Sequence, residues 1–353
     1  MTHMLHIKHY PAEHYSTLFN PDTGFFARVE DQGYAEPLWS QHGPELLDIS
    51  ITGWCDRLCQ VCYRNASPRA KHMEYADYQN LIAQAAKIGV MQVALGGGNP
   101  NQHPEFVRIL EMTRKEYGIV PSYTTSGRGL SPPIVKASEE LCGAVAVSAY
   151  WPYDDLWHAV QTLIWAGVRT NVHFVLDASS IETAIFWLRE PPGILQRVNA
   201  IVFLNYKPVG RQIAGVSALR NSERLEEFFS LIEQAEHPFR IGFDSCMVSG
   251  VASHTSIDAS MYDACEAARF SMFISESMMM YPCSFMEATT KGVSAKENDL
   301  LDGWLNSETF CKFRDSLLKE HCVACAHSRV CMGGCPLFEE VNLCQERPPS
   351  APR

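Results

Sequence analysis

The stretch Ile51-Thr52-Gly53-Trp54-Cys55-Asp56-Arg57-Leu58-Cys59-Gln60-Val61-Cys62-Tyr63-Arg64 sets three cysteines in the spacing C-x3-C-x2-C. Three thiolates on one short loop suit a cubic [4Fe–4S] cluster, whose usual ligand is Cys thiolate. The number three matters, because it leaves one iron of the cube without a protein ligand and open to another molecule. A zinc knuckle, or three unrelated buried cysteines, is the competing reading.

The cysteine loop closes the first of a series of alternating segments. Short apolar runs at 47–51, 90–95, 119–124, 144–148, 169–176, 200–204 and 240–243 read as strands. Amphipathic stretches at 75–88, 104–117, 132–140, 154–166, 181–188 and 222–235 lie between them. Such alternation predicts βαβ units around a parallel sheet. About six units in roughly 200 residues fall short of the about 250 that a closed eight-unit barrel needs, so an open, partial barrel is expected. Reactive groups of α/β barrels sit at the carboxyl ends of the strands, where the cysteine loop lies.

The chain has 353 residues, room for one large barrel-type domain and a smaller one. With 46% hydrophobic and 20% charged residues it reads as an ordinary packed globule. The net charge of −11 and the lack of a Lys/Arg run argue against a nucleic-acid partner. No apolar stretch reaches the about 18 residues of a membrane span. The start, Met1-Thr2-His3-Met4-Leu5-His6, lacks a basic region followed by an apolar core, so the expected location is the cytoplasm. Thirteen cysteines in that reducing compartment point to metal or cluster ligation rather than disulfides.

Residues 1–45 read as an N-terminal extension with a β-hairpin, built on a turn at 20–24 and a strand at 25–29. His3, His6, His9 and His14 invite a metal reading there, but their spacing fits no standard site, and surface histidines are the plain alternative. Beyond about 245 the alternation stops and cysteines crowd in; the tail Arg347-Pro348-Pro349-Ser350-Ala351-Pro352-Arg353 reads as disordered. The expected division is 1–45, 46–245, 246–345 and a tail 346–353.

Several strand ends carry candidate ligand contacts. The second strand ends in Ala94-Leu95-Gly96-Gly97-Gly98-Asn99-Pro100. A Gly run there lets a ligand approach the backbone, although a plain loop explains many such runs. The third ends in Tyr123-Thr124-Thr125-Ser126-Gly127, the fourth in Ser148; Asn171 lies in the fifth, and Lys207-Pro208-Val209-Gly210-Arg211 follows the sixth. Each polar group could equally be solvated or capping. Cys322-x2-Cys325-x5-Cys331-x3-Cys335 is the second strong pattern, with Cys265 and Cys283 upstream and Cys344 downstream. Paired C-x2-C also suits a zinc site of four thiolates, but seven cysteines fill neither one nor two such sites.

Together, over roughly residues 45–345, these stretches resemble the radical S-adenosylmethionine (SAM) superfamily, with the C-terminal SPASM domain of its peptide-modifying members. The resemblance implies an α/β fold: a partial (β/α)6 barrel followed by a cysteine-rich domain carrying auxiliary iron–sulfur clusters. It implies that the amino and carboxylate groups of SAM chelate the open iron held by Cys55, Cys59 and Cys62. Gly97, Gly98, Asn99 and Pro100 stand at the family's Gly-Gly-Glu-Pro segment, which holds the SAM amino group; Asn99 keeps a carbonyl acceptor without the charge. Thr125 and Ser126 would meet the ribose and carboxylate, Ser148 and Asn171 would be further polar SAM contacts, and Arg211 would face a carboxylate or make a surface salt bridge. Val61 stands where an aromatic residue usually packs near adenine.

By the same resemblance, Cys322, Cys325, Cys331 and Cys344 hold an outer auxiliary cluster, and Cys265, Cys283 and Cys335 an inner one. Seven ligands serve two cubes that accept eight. The expectation is an open iron on the inner cluster, with Cys246 a thiol in the barrel wall; the alternative makes Cys246 the eighth ligand. Cys142 and Cys311 read as core thiols. Met278 replaces the Gly expected five residues before Cys283, so the turn there is expected to be built differently.

The implied chemistry is reductive cleavage of SAM to methionine and a 5′-deoxyadenosyl radical. That radical would take hydrogen from an unactivated C–H bond of a peptide or protein, for example to cross-link a ribosomally made precursor. The implied cofactors are one radical SAM [4Fe–4S] cluster, two auxiliary [4Fe–4S] clusters and SAM. The implied partners are the substrate and a reductant such as flavodoxin or ferredoxin; 1–45 is too short for the family's own precursor-binding domain, so either a separate protein supplies one or the precursor binds the barrel directly. Three rivals remain. A sulfatase-maturing enzyme would carry an Asp base directly after the second auxiliary cysteine, where Ser284 stands, and an unactivated hydroxyl is a poor base. A small-molecule enzyme could use the same clusters. A non-enzymatic electron carrier would need no SAM pocket.

Overall fold

A computed structural model of the chain describes residues 5–212, 215–234, 236–317, 322 and 324–344. The expected disordered tail, 346–353, lies outside the described residues.

Three antiparallel strands open the chain: β1 (His6–Tyr10), β2 (Tyr15–Phe19) and β3 (Phe26–Glu30). The expected hairpin is therefore part of a three-stranded sheet. Its first strand, His-Ile-Lys-His-Tyr, is too polar and exposed to announce itself by pattern. His9 bonds to Ser16 and His14 stacks on Tyr34, so these two do not meet at one metal; His3 lies outside the described residues. Arg28 anchors this sheet, reaching Glu45 at 2.8 Å, Glu36 at 3.1 Å and Glu266 at 2.5 Å.

The barrel is part of a ten-stranded sheet. Strands β4 (Leu46–Thr52), β5 (Gln92–Gly97), β6 (Val120–Thr125), β7 (Val145–Ser148), β8 (Thr170–Leu176), β9 (Ala200–Asn205) and β10 (Arg240–Phe243) run parallel in chain order. Helices α1 (Tyr75–Ile88), α2 (Phe106–Glu111), α3 (Pro132–Leu141), α4 (Asp154–Trp165), α5 (Ile181–Arg189) and α6 (Glu223–Gln234) fill the six crossovers. Period-2 alternation drives this layout. In β8, Thr170, Val172, Phe174 and Leu176 are buried, and Phe174 meets Trp187 of α5 edge-on at 5.0 Å. The alternate positions His173 and Val175 line a central cavity. The partial barrel expected from the sequence is thus present, with β10 as a seventh parallel strand.

The C-terminal part adds α7 (Val248–His254), β11 (Ser271–Ile274), β12 (Met279–Tyr281), β13 (Val293–Ser294), α8 (Leu300–Asn306) and α9 (Glu308–Asp315). β11 pairs in parallel with β4, and β12 and β13 continue the sheet antiparallel. The sheet therefore runs across the boundary expected at 245. Trp304 of α8 is fully buried and donates from Nε1 to Ser40 O at 2.7 Å.

Met278 corrects one expectation. It takes the left-handed backbone, φ +62°, that a Gly would take, so the turn between β11 and β12 keeps that form. This costs about 1–2 kcal/mol in a non-Gly residue, and burial of the side chain, 2% exposed, offsets it. Cys311 is a second correction: it is exposed on α9 rather than a core thiol. Cys142, at the end of α3, packs against the core, and burial pushes its thiol up to about 12. None of the thirteen cysteines is disulfide-bonded. No described helix is long and apolar enough to cross a membrane.

Candidate active site

β4 delivers the loop 53–67 to the carboxyl end of the barrel. Backbone bonds hold the loop in place. Gly53 N–H donates to Lys71 O at 2.8 Å, and Ser67 N–H to Gly53 O at 3.2 Å. Leu58, at φ +53°, bends the chain between Cys55 and Cys59. The thiols of Cys55, Cys59 and Cys62 lie close enough to act on one another electrostatically. Burial pushes Cys55 and Cys59 up, because a thiolate there needs positive charge beside it. Iron supplies that charge on binding, so the donor set fits three corners of one [4Fe–4S] cube.

The glycine run meets this loop directly. A Cβ on Gly97 (φ +107°) would lie 2.1 Å from Thr52 O, and one on Gly98 would lie 2.1 Å from Trp54 O. Gly98 N–H donates to Thr52 O at 2.6 Å and Asn99 N–H to Trp54 O at 2.9 Å. The run therefore docks β5 on the cluster loop and leaves no room for a side chain between them. Gly98→Ala should displace the loop and lose about four irons from the reconstituted protein. Iron analysis checks this, and an unchanged iron content would show that the contact is dispensable.

Asn99 departs from its expected role. It is fully buried and its side chain is spent on the protein: Oδ1 accepts from Thr125 Oγ1 and from Ser126 N–H, both at 3.0 Å, and Nδ2 donates to Arg128 O at 3.0 Å. It ties the β5 end to the β6 end and does not line the cavity, and neither does Pro100, which opens a buried turn. Thr125 also donates to Asn101 Oδ1 at 2.6 Å. Asn99→Leu would leave Ser126 N–H unpaired in a buried site, so it should lower stability by about 1–3 kcal/mol. A shift in the denaturation midpoint reads this; unchanged stability would mean that the network rearranges at no cost.

Two more expected ligand contacts point elsewhere. Arg211 donates to Cys59 O and Ala66 O, both at 2.8 Å, and exchanges backbone bonds with Cys62. Gly210, at φ +75°, lies so close that a Cβ would meet Cys62 O at 2.4 Å. The 207–211 turn is thus a clamp on the cluster loop. Asn171 is only the second residue of β8, near the closed end, and it accepts from Asn199 Nδ2 at 2.7 Å. Gly97, Gly98, Thr125, Ser126 and Ser148 line the cavity.

That cavity has a volume of about 1630 Å³ and is bordered by Cys55, Cys59 and Cys62. Two of its lining residues had gone unremarked. His173 lies midway along β8, and burial drives it down to about 4, so its imidazole is neutral. Asp48, on β4, has no hydrogen-bond or ion-pair partner among the described residues; burial raises its carboxyl to about 6, with Arg64 opposing. Its Oδ1 faces Gly96, 3.9 Å from where a Cβ would stand. A lone polar residue at an inward strand position is the signal that could have found both.

Among the C-terminal cysteines, Cys331 lies near Cys322 and Cys344, and Cys325 sits one turn beyond Cys322. The inner group holds a surprise in Cys246. Its thiol lies close enough to that of Cys335 to interact with it, lowering Cys335 and raising Cys246, and it lies near Cys265. Cys283 in turn lies near Cys265 and Cys335. Four thiols therefore gather where three were expected, and Cys246 is not isolated in the barrel wall. Among the described residues no three His, Cys, Asp or Glu side chains converge as a single-ion site; a cube spreads its thiolates over four irons.

Residues 49–160 match the Radical SAM superfamily. The chain carries a radical SAM domain. Such a domain holds one [4Fe–4S] cluster and SAM. The chain as a whole is similar to the PqqA peptide cyclase of Methylocella silvestris, 22% identical over 325 residues, 83% of this chain and 82% of that one. A second PqqA peptide cyclase, from Xanthomonas oryzae pv. oryzae, is 24% identical and covers 81% of each chain. The match to the PqqA peptide cyclase of Ruegeria pomeroyi spans only 30% of that protein. Around the radical SAM domain the fold is that of Streptococcus suis SuiB, with a TM-score of 0.72 at 16% identity over 97% of this chain and 99% of that chain. SuiB has also been solved bound to a precursor peptide, SuiA.

Proposed function

We propose that this protein is a cytoplasmic radical SAM enzyme that oxidatively modifies a peptide, as by a cross-link in a ribosomally made precursor. The observation that carries the reading is the shared cavity. Cys55, Cys59 and Cys62 border it, and so do Lys207, Asp244, Ser284 and Phe285, neighbours of the inner thiol group. A peptide segment lying there is within reach of both groups. The named activity of the PqqA relatives and the SuiB–SuiA complex support the peptide as substrate class.

When bound, the radical SAM cluster and SAM supply a 5′-deoxyadenosyl radical that takes a hydrogen atom from the substrate. Cys55, Cys59 and Cys62 would hold the cube by three corners, and Gly96, Gly97 and Gly98 would let SAM approach the β5 end. Cys246, Cys265, Cys283 and Cys335 would serve as ligands of an inner auxiliary cluster, and Cys322, Cys325, Cys331 and Cys344 of an outer one. Forming a cross-link removes two hydrogens. One leaves as the hydrogen atom on 5′-deoxyadenosine, and the other leaves as a proton and an electron. Asp48 is placed to take the proton on its carboxylate, and the inner thiols would hold an auxiliary cluster able to accept the electron. A reductant such as flavodoxin or ferredoxin completes the system, and the precursor is brought in either by a separate binding protein or by the barrel itself.

The test begins with anaerobically reconstituted protein, SAM and dithionite, which should yield 5′-deoxyadenosine. The peptide encoded by the nearest short open reading frame is then added and should lose two hydrogens by mass spectrometry. No 5′-deoxyadenosine would leave an electron carrier, and 5′-deoxyadenosine without a changed peptide would move the substrate to another class.

A further inference from the structure

A single lysine stands between the barrel and the inner thiols. Lys207 follows the end of β9 and is 5% exposed. Its ammonium donates to the Asp244 carboxylate, lies 4.9 Å from the centre of the Phe285 ring, and acts electrostatically on the Cys246 thiol. Its charge also acts on Cys283 and Cys335, so it bears on three of the four inner thiols. Asp244 is fixed in turn: its Oδ1 accepts from Asn205 N–H at 3.2 Å. The Asn205 side chain donates to Cys246 O at 3.3 Å and to Val341 O at 2.8 Å. The ends of β9 and β10 thus hold a cation against a group whose cysteines come from the C-terminal part.

We propose that the buried Lys207–Asp244 pair sets the reduction potential of the inner auxiliary cluster, with Lys207 raising it and Asp244 holding it down. The inference rests on reading Cys246, Cys265, Cys283 and Cys335 as that cluster's ligands. Reduction adds one negative charge to a cluster. A buried ammonium close to the ligand thiols stabilises that charge, and cluster potentials respond to nearby charge. Lys207 is buried, so the interaction is less screened than at the surface. A higher potential makes the inner cluster the better acceptor for an electron leaving the substrate.

The test is a redox titration of the reconstituted full-length protein, followed by electron paramagnetic resonance. Lys207→Gln should shift the inner-cluster signal to lower potential, and Asp244→Asn should shift it to higher potential. Lys207→Arg should stay near the parent. Opposite signs in the two variants are a signature that general loosening of the fold would not give. If Lys207→Gln fails to assemble, the sign of the Asp244→Asn shift decides. Shifts of the same sign, or none with the cluster present, would overturn the tuning role. An iron content too low for a third cluster in the parent protein would instead remove the ligand assignment, and the tuning role with it.

Discussion

Replacing Cys55, Cys59 and Cys62 together with Ala should abolish 5′-deoxyadenosine formation and remove about four of about twelve irons per chain, the content of three cubes. The three thiols sit on one loop, close enough to act on one another, and no other described cysteine is placed with them. Losing one corner can leave a cube bound at low occupancy; losing all three removes every protein bond to it. The loop itself should survive, because its backbone bonds to Lys71, Arg211 and the β5 end do not use the thiols. Auxiliary-cluster signals should therefore persist in the variant. Continued SAM cleavage would show that the chemistry is housed elsewhere.

Cys246→Ala should lose the inner auxiliary cluster, seen as about four missing irons or as a changed spectrum for that cluster. From sequence alone the opposite result is expected, with iron content intact, because Cys246 belongs to no recognisable cysteine spacing. The closeness of Cys335 and Cys265 reverses that expectation. Cys142→Ala and Cys311→Ala serve as controls, since neither residue meets another cysteine, and both should keep full iron. If Cys246→Ala also keeps it, the inner cluster has an open iron, and a substrate group could bind there.

The barrel was legible because its elements are periodic. Strand and helix positions from 46 to 243 follow apolar runs of period 2 and 3.6, and α1 and β10 fall within the residues expected. What sequence could not supply was pairing between distant segments and the direction of side chains. Asn99 and Arg211 occupy the expected places in their turns, yet their polar atoms are used by Ser126, Arg128, Cys59 and Ala66. A motif fixes a residue's position along the chain, but hydrogen bonds with neighbouring loops decide which way it points. Asp48 and His173 look like interruptions in apolar strands until the barrel closes and turns them inward. Cys246 was obscure for the same reason, since its partners come from three separate segments.

The pairing of β11 with β4 also bears on how the chain reaches its native state. β4 is the first barrel strand to be made, and one of its two edges is covered by Ser271–Ile274, more than two hundred residues later. Until that late segment arrives, the strand leading to the cluster loop carries a row of unpaired amides and carbonyls, an invitation to pair with another chain. Contacts between such distant segments form slowly. A chain shortened before Ser271 would keep the C-x3-C-x2-C loop and all six crossover helices, yet would expose this edge permanently. Insolubility of such a fragment would then reflect an uncapped strand rather than a missing cofactor.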